Sequence, residues 1–356
     1  MNRRAHPAGS ALGAQADREA ALPRPHVCFV TDGSEHLGLG HVQQSTTFAQ
    51  VLAPQAMVRF LTKSDDAVAA KIRARGFEVT QHDSDSDILA ELQGQGPDIV
   101  IFDKLDVAEE LARDVRKTMQ ARLVIFTNLT RANRHAHVAV SADIGSRFEN
   151  VRVVDGETGT LYLYGPRYWV LRPEFYEYWR RGKPPAQRVA RVLLIFGGSD
   201  PANLTSAVLD QLLSMEAAPL IDVVLGAHFH HDVDLREVLR RHAARQANVT
   251  VRRDIPNVAE LMYAANLVIA SPGLSAFEAL RVGTPVIVVP HDALQRETYN
   301  GFMRMLDRTE LARLPALFGQ MDFTYPDDPR VARMEIGEGV SDLKELIMAP
   351  PEGEKR

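Results

Sequence analysis

Along most of the chain, short runs of β-branched and other apolar residues give way to longer stretches in which apolar positions recur every three or four residues. The first such unit runs from Val27 to Leu52, VCFVTDGSEHLGLGHVQQSTTFAQVL. Val27, Phe29 and Val30 suit a buried parallel strand, and Val42, Thr46, Phe48, Ala49 and Leu52 hold one helical face. The pattern continues with strands at 57–61, 77–80, 99–102 and 123–126 and helices at 65–75, near 88–93 and at 107–120. Signals are weak over 141–165. A second series then predicts strands at 192–196, 221–225, 249–252, 267–269 and 285–289, helices at 260–265 and 275–282, a loop and helical pattern beyond Val289, and a last helix at 339–347. Strand and helix in alternation imply parallel sheets flanked by helices.

Between the two series lies YWVLRPEFYEYWRRGKPPAQRVAR, aromatic at its start, then charged, then carrying Pro184-Pro185. This shift of composition reads as a linker over 166–190, separating an N-terminal domain at 26–165 from a C-terminal domain at 191–320, with a tail over 321–356. Tyr168, Trp169, Phe175, Tyr176, Tyr178 and Trp179 either pack between domains, the commoner use of such residues, or stack on a ligand. The first 25 residues are rich in Ala, Arg, Gly and Pro without a continuous apolar segment, and read as a disordered extension rather than a signal peptide.

With 356 residues, 45% apolar and 24% charged, the chain has ample material for two cores. The formal charge of −5 gives no general attraction for nucleic acid. The single Cys28 excludes an intrachain disulfide and a multi-cysteine zinc site, which makes a reducing cytoplasm the simplest compartment. No apolar run is long enough to read as a membrane span. Sequence periodicity shows no exposed apolar face from which to choose between monomer and homo-oligomer.

Candidate chemistry gathers where strands end. In α/β sheets of this kind ligands bind outside the carboxyl ends of the strands, which is where Asp32, His41, Asp103 and Asn128 fall. Gly38 and Gly40 are read as permitting unusual backbone conformations in the first turn, with His41 at a helix mouth that favours anions. Asp32 and His41 flank that turn and are read as a base with its orienting carboxylate. Asp103 either faces the crevice or caps a local turn. Two later turns repeat the idea: Gly197-Gly198-Ser199-Asp200 after RVLLIF, and Ser271 to Ser275 around Gly273 after LVIA. Neither matches a dinucleotide fingerprint or a Walker loop. Glu278, one turn into the following helix, is either settled by the helix dipole or an acceptor for two ribose hydroxyls. His228, His230, His231 and Asp232 invite a metal reading, but loop neighbours do not easily converge and no second cluster completes the set. No nucleophile elbow surrounds Ser199, which argues against serine-hydrolase chemistry.

Taken in order, D-G-S-x-x-x-G-x-G-H, LLIFGGSDPANLT and SPGLSAFEALRVGTPVIVV, with the linker phrase YGPRYWVLRPEFY, resemble the nucleotide-sugar hydrolases of pseudaminic acid biosynthesis and the related spore-coat polysaccharide branch. That group looks like a relative of the GT-B glycosyltransferases, especially the N-acetylglucosaminyltransferase of peptidoglycan synthesis. The match spans about residues 27–305. It implies an α/β GT-B fold, two doubly wound Rossmann-like domains facing across a cleft, and a nucleotide-diphosphate sugar, UDP-linked, as substrate. His41 would be the general base with Asp32 beside it. Gly197, Gly198, Ser199, Asp200, Ser271, Gly273, Leu274 and Ser275 would meet the nucleotide, and Glu278 would hold its ribose. Gly38, Gly40, Gln44, Asp103, Arg172, Gln295 and Thr298 would line the sugar side.

The resemblance implies no cofactor and no metal, because fixed N–H dipoles can stabilise the leaving diphosphate. The chain departs from the family where Val30 and Gln44 replace arginines and Leu294 replaces an asparagine before Gln295, all on the sugar side. Three readings follow: a hydrolase in which water attacks the anomeric carbon with inversion, a glycosyltransferase in which His41 deprotonates an acceptor, and a binding module without turnover.

Overall fold

The computed structural model describes residues 24–33, 39–142, 149–300, 304–320 and 329–349. Most of the extension expected over the first 25 residues, and Gly38, lie outside these ranges.

The N-terminal series builds β1 (His26–Thr31), α1 (Gly40–Leu52), β2 (Met57–Thr62), α2 (Asp66–Ala74), β3 (Glu78–Gln81), α3 (Asp85–Gln95), β4 (Ile99–Asp103), α4 (Glu109–Thr118), β5 (Arg122–Phe126), β6 (Val138–Ser141), β7 (Val151–Val154) and β8 (Leu161–Tyr164). Their order across the sheet is β3-β2-β1-β4-β5-β6-β8-β7, with β7 antiparallel to β8 at one edge. Side chains shape the helix ends: Asp65 accepts from the Val68 N–H at 3.0 Å, Ser84 accepts from the Asp87 N–H at 3.2 Å, and Gly96 ends α3 at φ 58°. The central strands carry unbroken apolar runs because both faces are covered. Phe29 stacks on Phe60 with ring centroids 5.0 Å apart and meets Phe48 of α1 edge-on at 6.4 Å. Cys28 is buried on the opposite face of the sheet, with Val30 and Leu61, and burial pushes its thiol up to about 12.

After α5 (Pro173–Arg181) the second series builds β9 (Arg191–Ile195), α6 (Leu204–Leu213), β10 (Leu220–Leu225), α7 (Asp232–Arg241), β11 (Val249–Arg253), α8 (Ala259–Ala264), β12 (Leu267–Ala270), α9 (Leu274–Val282), β13 (Val286–Val288), α10 (Ala293–Thr298), β14 (Arg304–Met305) and α11 (Leu314–Gly319). All its strand pairs are parallel, in the order β11-β10-β9-β12-β13-β14. The tail forms α12 (Pro329–Met334) and α13 (Val340–Met348). Leu343 and Ile347 of α13 are fully buried, and Arg122, opening β5, donates to the Leu346 carbonyl at 2.5 Å and the Ile347 carbonyl at 3.2 Å. The tail therefore packs back on the first sheet.

Two readings are corrected. Residues 304–305 lie in the helical pattern read beyond Val289 but pair as a strand with Ile287 and Val288, so sheet pairing overrides local periodicity there. β6, too short to give a periodic signal, is a full member of the first sheet. The linker aromatics pack: Phe175 is fully buried, Trp169 lies 5.3 Å from Phe277 of α9, and Tyr178 lies 5.2 Å from Tyr263 of α8.

The linker is also pinned by Lys183. Its ammonium donates to the carbonyls of Met262 (3.2 Å), Tyr263 (2.6 Å) and Ala265 (2.5 Å), where α8 leaves carbonyls without helical partners, and to the Thr284 hydroxyl at 2.6 Å. Lys183→Met keeps the stem and strands these acceptors. The expected cost is about 3 kcal/mol in urea unfolding; a loss under about 0.5 kcal/mol would mean that water replaces the ammonium without penalty.

Candidate active site

The parallel strands of each sheet reverse their order once, between β1 and β4 in the first and between β9 and β12 in the second. Crevices open at such points, beyond the carboxyl ends of the strands. At the first, the register sets Thr31 beside Asp103, and the Thr31 hydroxyl donates to the Asp103 carbonyl at 3.0 Å. The Asp103 carboxylate is buried and turned towards α1. His41 Nδ1 lies 2.8 Å from its Oδ1, the Ser45 hydroxyl donates to Oδ2 at 2.8 Å, and Gln44 Nε2 lies 3.3 Å from both oxygens. Residues 41, 44 and 45 meet one carboxylate because helix positions i, i+3 and i+4 share a face. Gln44 Nε2 also reaches the Thr127 hydroxyl at 3.4 Å, and Thr127, β-branched, is held at φ 52°, a strained backbone beside the cluster.

The Asp103 carboxylate is therefore held against α1, where it meets the His41 ring, rather than capping a turn. The pairing of His41 with Asp32 is corrected. Asp32 Oδ2 accepts from the buried Lys104 ammonium at 2.9 Å, and its Oδ1 accepts from the Lys63 N–H at 2.7 Å. Burial alone would raise the Asp32 carboxyl, but Lys104 and Lys63 hold it below its ordinary value. Gln44, expected at the sugar, is buried with its amide on Asp103, and its Oε1 has no partner among the described residues. Gly40 does not need glycine's conformational freedom: it is not among the positive-φ residues, and an added Cβ would meet nothing within 4 Å among the described residues. Asn128 ties its own loop together, accepting from the Val107 N–H at 3.0 Å and donating to Asn133 at 3.0 Å.

At the second switch point β9 runs into Gly197, at φ 80°, then Gly198 and the buried Ser199. β12 runs into Ser271 and Gly273, at φ 130°, which precedes Leu274 and Ser275 at the start of α9. With Ile195 paired to Ala270, the two turns lie at neighbouring strand ends. The N–H groups that open α9 have no carbonyl four residues back, which is the usual setting for an anion. Asp200 departs from the expected diphosphate contact. It caps α6, accepting from the N–H groups of Leu204 and Thr205, both at 2.8 Å. His291 Nδ1 lies 3.8 Å from Asp200; burial pushes this imidazole down, and Asp200 opposes the shift.

Glu278 is buried on α9, and burial pushes its carboxyl up to about 7 against the pull of Arg172. Arg172, expected on the sugar side, reaches the second sheet's Glu278: its Nη2 lies 3.5 Å from Glu278 Oε1. Gln295 Oε1 accepts from the His291 N–H at 2.9 Å, and Thr298 ends α10 half-buried. In the histidine loop Asp232 is paired with Arg253 at 2.5 Å, and His230 and His231 stack at 4.5 Å.

Residues 192–300 match the family described as glycosyltransferase family 28 C-terminal domain. Acinetobacter baumannii MurG superposes with a TM-score of 0.60 at 16% identity, covering 91% of this chain and 99% of that one. The fold is GT-B. Anabaena Alr3699/HepE, solved with UDP-glucose, shares this GT-B arrangement with a TM-score of 0.51 at 14% identity over 91% of this chain and 95% of its own. In sequence the chain is 35% identical to the uncharacterized protein MJ1062 of Methanocaldococcus jannaschii over 326 residues, 90% of this chain. It spans 66% of that relative's length, just under two thirds. It is 26% identical over 286 residues to the spore coat polysaccharide biosynthesis protein SpsG of Bacillus subtilis, covering 78% of this chain and 80% of that protein.

One determinant of the Gly197–Ser199 turn carries no motif. Gly226, after β10, lies so close to the Gly198 carbonyl and Cα that an added Cβ would overlap both, and the His228 N–H donates to the Gly198 carbonyl at 3.0 Å. The neighbours are backbone and cannot swing away. Gly226→Ala is expected to lose about 1–3 kcal/mol in urea unfolding; wild-type stability would mean that this approach is looser than it stands here.

Proposed function

We propose that the protein is a nucleotide-sugar hydrolase acting on a UDP-linked amino or deoxy sugar, in surface-polysaccharide or nonulosonic acid biosynthesis in the cytoplasm. The observation that carries this reading is the His41–Asp103 pair at the first switch point, with Asp103 buried and His41 partly open to solvent. With Nδ1–H given to Asp103, the imidazole presents its basic lone pair on Nε2, and the carboxylate stabilises the imidazolium that forms.

Water donates a proton to His41 as its oxygen attacks the anomeric carbon from the side opposite the diphosphate. The bond from that carbon to the β-phosphate oxygen breaks, its electron pair leaves with the nucleoside diphosphate, the sugar is released inverted, and His41 returns its proton to solvent. Backbone N–H groups at Gly197–Ser199 and at Leu274 and Ser275 offset the charge that develops on the diphosphate. Glu278 accepts from the ribose hydroxyls, while Gln295 and Thr298, with the room left at Gly40, bound the sugar. Of the three departures from the resembled hydrolases, Val30 lies in the core and Gln44 on Asp103, so exposed Leu294, next to Gln295, is the one left to adapt the pocket to a different sugar.

Transfer to an acceptor is the second reading, favoured by the family 28 match over residues 192–300. It keeps His41 and Asp103 in the same roles, with an acceptor hydroxyl in place of water. Among the described residues no helix is long and apolar enough to cross a membrane. The kinship with SpsG supports a polysaccharide setting under either reading.

The deciding experiment incubates the protein with a panel of nucleotide diphospho-sugars without acceptor and follows release of nucleoside diphosphate. Rapid release from one member supports hydrolysis; tight binding with release only on adding an acceptor moves the assignment to transfer. His41→Ala is expected to lower turnover about 100-fold or more while nucleotide affinity stays within a few-fold. Asp103→Asn should cost at least about 10-fold by misorienting the imidazole. Unchanged turnover in His41→Ala would remove this histidine from the chemistry. Glu278→Ala is expected to weaken binding of the free nucleoside diphosphate, and equal affinity would return Glu278 to a structural role.

A further inference from the structure

Glu278 is a buried carboxylate with few charges about it. Arg172, at the start of α5, brings Nη2 to 3.5 Å from Glu278 Oε1. The same guanidinium is gripped from two other directions. Its Nη1 donates to the Pro256 carbonyl at 2.8 Å, in the loop after β11, and lies 3.3 Å from Glu174 Oε1, and the group rests over the Phe175 ring at 4.9 Å. Glu174 is the other charge acting on Glu278, and it opposes Arg172.

The remaining charged groups near α9 are committed elsewhere. Arg281 pairs with Glu338 of the tail at 2.9 Å and lies over the Trp179 ring at 4.1 Å. Lys183 is held by the end of α8. The residues that α8 buries are Ala259 and Met262, its Glu260 is exposed, and β12 and β13 are apolar.

We propose that Arg172 is a positioning residue of the nucleotide seat: held on the linker, it keeps Glu278 ionised as an acceptor for ribose hydroxyls and so sets the pH range in which ribose is told from deoxyribose. This rests on the reading of Glu278 given under Proposed function. An ionised carboxylate accepts from both hydroxyls of a ribose, and a 2′-deoxyribose forfeits one of these charge-assisted bonds. Burial favours the neutral acid, which has fewer acceptor sites, and Arg172 is the cation that opposes it.

The sign follows. Glu278 titrates at about 7, so preference for ribose is absent well below that pH and grows as pH rises through it. Without Arg172 the neutral acid persists to higher pH, and the transition moves up.

The test measures dissociation constants of UDP and 2′-deoxy-UDP by calorimetry between about pH 5.5 and 9, for wild type, Arg172→Gln and Arg172→Lys. The ratio of the two constants cancels the ionisation of the diphosphate itself. In wild type the ratio should rise about 10-fold through neutrality. In Arg172→Gln it should remain low at pH 7.5 and recover only at higher pH, while Arg172→Lys restores most of the wild-type profile. An unshifted midpoint in Arg172→Gln, or a loss of the ratio equal at every pH, would overturn the proposal, the latter marking a purely structural role. Failure of the wild type to bind UDP at all would instead overturn the nucleotide reading on which it rests.

Discussion

A charged carboxylate withdrawn from water must be surrounded by donors, and Asp103 meets that requirement with a face of α1. Because the same oxygens that satisfy the burial of Asp103 also hold Ser45, Gln44 and the His41 ring, the docking of α1 on β4 and the orientation of the imidazole are one event. Stability and chemistry are joined at this point. The strained Thr127 and the Gln44 Oε1, without a partner among the described residues, lie at the margin of the cluster, where the surrounding core fixes conformations that would not persist in isolation.

The second sheet solves a different problem with the same topology. Its switch point offers backbone N–H groups at Gly197–Ser199 and at the start of α9, and of its buried acids Asp200 caps α6 near His291, Asp222 pairs with Arg191, and Glu278 stands beside Arg172. The first switch point suits proton transfer and the second suits a polyanion, which is the division of labour that a two-substrate or water-dependent transfer at a phosphorylated carbon requires. Asp200, Gly226 and His291 serve the shape of the second turn: one caps α6, one permits the close approach of Gly198, and one fills the space behind Asp200.

The alternation of apolar runs and helical periods made the parallel sheets legible because strands covered on both faces leave unbroken hydrophobic signatures, as in Val27–Val30 and Leu193–Ile195. Short members with little burial of their own left no such mark, as with β14, whose two residues are defined by pairing alone. Glycine turns pointed to where the crevices open. They did not reveal partners. Asp32 and Asp103 both end strands of the first sheet, and only the register between β1 and β4 with the facing side of α1 decides which carboxylate meets His41. Gly226 was invisible for a related reason, since its constraint comes from another loop's backbone. The contact of Arg172 with Glu278 was hidden because a linker residue's neighbours depend on how the chain crosses between the sheets.

That crossing happens twice. The chain passes from the first sheet to the second through α5 and Lys183, and returns through the tail, where Asn150 donates to the Met334 carbonyl at 3.1 Å, the Gly339 N–H donates to the Arg167 carbonyl at 2.9 Å, and Arg122 grips the end of α13. Any relative motion of the halves must therefore flex both crossings, α5 and the tail, together.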